Sequence, residues 1–148
     1  MACLGSVILD PATAVTKSTA AALAMTAIDT AAARITFTAP ASLRVLVRLK
    51  GVIHGATTFP QVLLGVLEGA TVVVRGAPAG AVAGTAAATT FLPIEFAAVV
   101  TVTAGSHTWD AAYGVETLVA ATGIKYGGPN DATANNAFGA FTFEIWEA

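Results

Sequence analysis

Arg44-Val45-Leu46-Val47-Arg48-Leu49-Lys50-Gly51-Val52 decides the fold class. Val45, Val47 and Leu49 fall on one side of a pleat, and Arg44, Arg48 and Lys50 on the other, with Leu46 sharing the charged side. A period of two marks a half-buried strand, because successive side chains leave a strand on opposite faces. The same alternation closes the chain: Phe141, Phe143 and Ile145 oppose Thr142, Glu144 and Trp146. Ile35 and Phe37 repeat it against Arg34, Thr36 and Thr38.

Outward from these segments the pattern stays β. Val62–Leu67 and Thr71–Arg75 are short apolar runs split by Glu68-Gly69-Ala70, which reads as a hairpin turn. Phe96–Thr103, Thr108–Glu116 and Leu118–Tyr126 are further strand candidates, and Thr19–Ile28 is read as one despite its alanines. Clusters of Gly, Pro, Asn and Ser punctuate them at 40–42, 55–60, 76–84, 104–106 and 127–131. The expectation is an all-β antiparallel sandwich of about eight to ten strands, a jelly roll. A single domain holds the whole chain, with an N-terminal arm and first strand over residues 1–30 and the sandwich over 31–148.

Composition bounds the rest. The chain is 55% hydrophobic but only 11% charged over 148 residues, against roughly 25% charged in ordinary soluble domains. Alanine supplies much of the apolar share, so small-residue faces packed between identical subunits explain the shortage of charge. The formal charge of -2 offers no basic field for nucleic acid. No uncharged stretch is both long and apolar enough for a membrane helix, which needs about 20 residues. The first residues lack a basic leader region. The one cysteine, Cys3, has no internal partner for a disulfide.

No catalytic constellation stands out, and neither an enzyme nor a cofactor is expected. Ser106, His107 and Asp110 lie close together, but neighbours on a strand diverge, so they do not make a triad. His54 and His107, the only histidines, have no zinc-ligand spacing, even with Asp110 or Glu116. Asn130, Asp131, Asn135 and Asn136 offer oxygen ligands without the carboxylate spacing of a calcium loop. The candidate partner contacts are the basic stripe Arg44, Arg48 and Lys50, together with Trp146, which faces away from Phe143 and Ile145. Phe37, Trp109, Tyr113, Phe141 and Phe143 are candidate core or trimer aromatics.

Three phrases carry a resemblance: Ile35-Thr-Phe-Thr-Ala-Pro-Ala41, Arg44-Val-Leu-Val-Arg-Leu49, and Gly105-Ser-His-Thr-Trp-Asp-Ala-Ala-Tyr-Gly-Val115. Over residues 13–148 the chain resembles jelly-roll modules of tailed-phage virion proteins, similar to the TNF/C1q-like class of trimeric sandwiches. The resemblance implies a homotrimer and a structural role in the virion, assembled in the host cytoplasm. It brings no catalytic residue, and from charge, ligand spacing and segment length no metal, nucleic acid or membrane is expected. The short arm before the patterned strands suits a capsid decoration or cementing protein seated on the major capsid protein or another virion protein. The alternative is a tail-fibre or head-fibre receptor-binding module, recognising a host surface ligand through loops 76–90 and 127–136.

Overall fold

Thirteen strands account for nearly all the regular structure of the described residues, and every pairing between them is antiparallel. The structure, a computed structural model, describes residues 1–18, 22–55, 58–59, 62–79, 84–85, 90–116, 123–128 and 138–148. In chain order the strands are β1 (Cys3–Leu9), β2 (Val15–Ser18), β3 (Thr26–Ala27), β4 (Arg34–Thr38), β5 (Arg44–Gly55), β6 (Thr58–Phe59), β7 (Val62–Glu68), β8 (Thr71–Gly76), β9 (Gly84–Thr85), β10 (Thr90–Thr101), β11 (Ser106–Val115), β12 (Gly123–Tyr126) and β13 (Phe141–Glu147).

Two sheets hold all but β6 and β9, which pair with each other. The first sheet is built around β5, the strand that decided the fold class. β10 runs along one side of β5 over its full length. β13 takes the other side at Val45–Lys50, and β12 takes it at Val52–His54. β1 and β2 flank β13 and β12. The second sheet centres on β11, with β3 and β4 along one side and β7 then β8 on the other. The pairs nest along the chain: β7 with β8, β5 with β10, β4 with β11, β1 with β13.

The core lies between these sheets. Val45, Val47, Leu49, Ile53, Phe141, Phe143 and Ile145 from the first meet Ile35, Phe37, Val62, Leu64, Val66, Trp109 and Tyr113 from the second. Burying one such side chain contributes roughly 1.5–3 kcal/mol. Phe37 and Trp109 meet edge to face, with centroids 4.9 Å apart. The Tyr113 hydroxyl donates to the Ser18 carbonyl at 2.9 Å, so its polar end is satisfied. All five aromatic residues expected in the core or at a trimer contact are buried inside the single chain.

Several boundaries differ from the sequence expectation. β10 begins at Thr90 and contains Pro93, which had read as punctuation. Proline is tolerated there because β10 lies at an edge, where a missing N–H leaves no ladder bond unmade. The expected strand over Thr19–Ile28 shrinks to Thr26–Ala27, with a turn at Ala22–Leu23 where Leu23 adopts φ 58°. Residues 19–21 of that segment lie outside the described residues. The 68–71 turn is as expected: Glu68 pairs with Thr71, and Gly69 takes φ 61°, which side chains with a Cβ rarely adopt. Residues 1–30 contribute β1, β2 and β3 to the sheets.

Candidate assembly surface

The outward face of the first sheet collects the four residues singled out as partner contacts. Register places Trp146, Arg48 and Lys50 in rows across β1, β13, β5 and β10, while Arg44 lies at the start of β5 opposite Thr101. One row runs Cys3, Trp146, Leu46, Val99; another runs Ser6, Glu144, Arg48, Ala97; a third runs Ile8, Thr142, Lys50, Glu95. Four neighbouring strands span about 14 Å. The first row is uncharged throughout, and Val99 is 51% exposed within it. Trp146 is half-buried on this face, its indole Nε1 donating to Glu144 Oε2 at 3.0 Å.

The basic stripe is not a free positive surface. Arg48 Nη2 lies 2.9 Å from Glu95 Oε1. Its guanidinium is held above the ordinary arginine value by Glu95 first, with Glu144 adding to the effect. Glu95 is held below the usual carboxylate range by Arg48, and Lys50 lowers it further. Both partners of this pair are well exposed, so the pair contributes little stability. Its effect is to make the face nearly neutral. Past Lys50, a cleft of about 470 Å³ lies over the paired strands β5 and β10, lined by Lys50, Gly51, Val52, Pro93, Ile94 and Glu95 with Ala79 and Ala140.

Ser106, His107 and Asp110 are not assembled for catalysis. Ser106 is exposed while His107 is buried, since neighbours on a strand point to opposite faces. Asp110 accepts two hydrogen bonds from Arg34, Nε to Oδ1 at 2.7 Å and Nη2 to Oδ2 at 2.8 Å. The two residues face each other directly across β4 and β11. His107 stacks on Phe37 with centroids 5.5 Å apart. Its Nδ1 lies 3.1 Å from Glu68 Oε1, and its Nε2 lies 2.9 Å from the Thr103 carbonyl oxygen. With an acceptor at each ring nitrogen the doubly protonated ring is favoured. The Thr103 carbonyl and the Glu68 carboxylate both push the imidazole above its ordinary value, more than burial lowers it.

His107 therefore couples stability to pH. A folded-state value above the unfolded one stabilises fully below the unfolded value, about pH 6.5, and the benefit fades as pH rises through the folded value. The stability difference between the wild type and His107→Gln should shrink from about pH 6 to about pH 9. Urea unfolding at both ends of that window measures it; a difference that grows with pH would contradict the clamp.

No group of three or more His, Cys, Asp or Glu is placed to hold a metal among the described residues. The side chain of His54 and the 129–137 stretch with its Asn and Asp ligands lie outside the described residues, as does most of the 76–90 loop. Among the described residues, no helix is long and apolar enough to cross a membrane. Pattern reading found the face but missed Glu95, Glu144, Arg34 and Glu68 as partners. Each lies on a strand remote in sequence, and only the register of β10, β13, β4 and β7 brings it into range.

With the fold and the surface defined, comparison with known proteins adds no relative. No protein-family model, no curated protein and no solved structure matches the chain.

Proposed function

We propose that this chain is a structural assembly protein: a jelly-roll sandwich that forms homotrimers and decorates or cements the shell of a tailed bacteriophage. The nested pairs β1–β13, β4–β11, β5–β10 and β7–β8 support the jelly-roll wrapping, since they are what a long antiparallel ribbon folded over on itself produces. The outward face of the first sheet carries the assembly part. Its Cys3–Trp146–Leu46–Val99 row is uncharged, and Arg48 is paired with Glu95, with Lys50 and Glu144 close by. A band with so little unpaired charge lets another copy pack alongside it. The virion setting rests on the resemblance of residues 13–148 to tailed-phage modules.

Light scattering coupled to gel filtration tests the oligomer. The expected mass is three times the 14.8 kDa chain; a stable monomer at micromolar concentration overturns the trimer. Imaging of intact particles tests the setting. A copy number near that of the shell subunit fits decoration, whereas a few copies at a tail tip do not.

A further inference from the structure

The edges of the two sheets are not protected alike. Among the edge strands, β2, β4 and β8 each carry a cation, Lys17, Arg34 and Arg75, and the two-residue β3 carries none. Charge on an edge strand discourages a second chain from pairing there. β1 reads Cys-Leu-Gly-Ser-Val-Ile-Leu and carries no charge, its one irregularity being a register shift against β13 between Cys3 and Gly5. The Phe96–Thr101 half of β10 carries none either. The one charge in β10, Glu95, sits where the edge is already taken, because Ala79 and Glu95 exchange both backbone hydrogen bonds at 2.7 and 3.1 Å. Beyond that bridge, no described strand pairs with the outer edge of β10, and none pairs with the outer edge of β1.

These two open edges belong to one sheet and face opposite ways. The order β1-β13-β5-β10 is antiparallel at each step, so β1 and β10 run in opposite directions. A second copy set beside the first without being turned over brings its β1 antiparallel to the first copy's β10. That is the pairing the sheet uses throughout. Pairing β1 with β1 of another copy would leave the β10 edge open, whereas head-to-tail pairing covers both. Large apolar side chains are exposed on or beside both edges: Met1 at 83%, Ile8 at 67% and Val99 at 51%.

We infer that copies of this chain join head to tail by sheet continuation, the Cys3–Ser6 end of β1 lying along Ala97–Thr101 of the next copy. The inference rests on the self-assembly proposed above and names the joint. The uncharged row then runs on, Val99 of one copy beside Cys3 of the next. Because the joint uses two different edges, it closes only as a ring, and three copies make the trimer.

Val99→Cys tests the joint with the native Cys3 as its partner. Within one chain, positions 3 and 99 are three strand spacings apart, about 14 Å, beyond the roughly 7 Å limit for a disulfide. A bridge between them therefore links two chains. Mild oxidation of Val99→Cys should give a covalent trimer on a non-reducing gel, while the parent and a Val72→Cys control on β8 stop at dimers. A ladder running past the trimer keeps the joint and overturns the three-fold closure. Nothing larger than a dimer, or the same ladder from Val72→Cys, overturns the joint. Val99→Lys supplies the missing edge cation and should weaken assembly about tenfold or more; an unweakened trimer also overturns the joint. Scattering separates the failures: a trimer that does not cross-link refutes only the edge pairing, and a monomer refutes the trimer itself.

Discussion

Phe143→Ala is expected to destabilise the fold by about 3–5 kcal/mol, the usual effect of truncating a fully buried phenylalanine. Phe143 has no exposed surface. It sits mid-strand in β13, opposite Val7 of β1 on one side and Leu49 of β5 on the other. The cavity would open at the centre of the first sheet, where neighbours on both sides are held by ladder hydrogen bonds and cannot collapse inward. Domains of this size are stable by about 5–15 kcal/mol in total, so the variant should unfold at markedly lower urea or fail to accumulate. Phe143→Leu keeps most of the volume and should recover most of the loss. The measurement is urea unfolding at one fixed protein concentration, because the proposed self-assembly would add a concentration-dependent contribution. Equal stability of the alanine variant and the wild type would contradict the packing.

The second large effect is at Asp110, whose carboxylate is buried under the exposed Arg34. Asp110→Ala removes two charge-assisted hydrogen bonds and is expected to cost about 1.5–3 kcal/mol. The guanidinium left behind can turn to water. Arg34→Met is expected to destabilise more than Asp110→Ala, because it leaves a carboxylate buried with no counter-charge. The double variant should then be more stable than Arg34→Met alone. A double-mutant cycle by urea unfolding reads this order directly. If Arg34→Met proves the milder single change, the pair is not what holds Asp110 in place.

Both effects bear on how the chain manages with so little charge. Some of its charged residues are placed in cross-strand contacts: Arg34 with Asp110, Arg48 with Glu95, His107 with Glu68. Around them the surface holds many threonine, alanine and short aliphatic side chains. Where such a surface is also an unpaired strand edge, as in β1 and the second half of β10, it suits another copy of the same sheet better than water.

Local pattern determined much of this protein. The strict alternation in β4, β5 and β13 identified those strands and sorted their side chains into an inner and an outer set. Arg44, Arg48 and Lys50 were legible as one face, and Trp146 as facing away from Phe143, for the same reason: a period of two needs no knowledge of the partner strand. Gly69 was legible as the turn of the β7–β8 hairpin because a tight turn is a local event.

Tertiary structure decided what period two cannot encode. Asp110 belongs by alternation to the outer set of β11, yet it is buried, because β4 brings Arg34 across it and Leu67 of β7 lies opposite on the other side. Glu95 neutralises Arg48 only because β10 runs beside β5 in one particular register. Pro93 sits inside a strand because no described strand pairs with it on the side away from β5. Composition along the chain sets what each strand can bury, but the identity of its neighbour is a long-range choice. That choice settled which charges are cancelled and which strand edges no described strand covers.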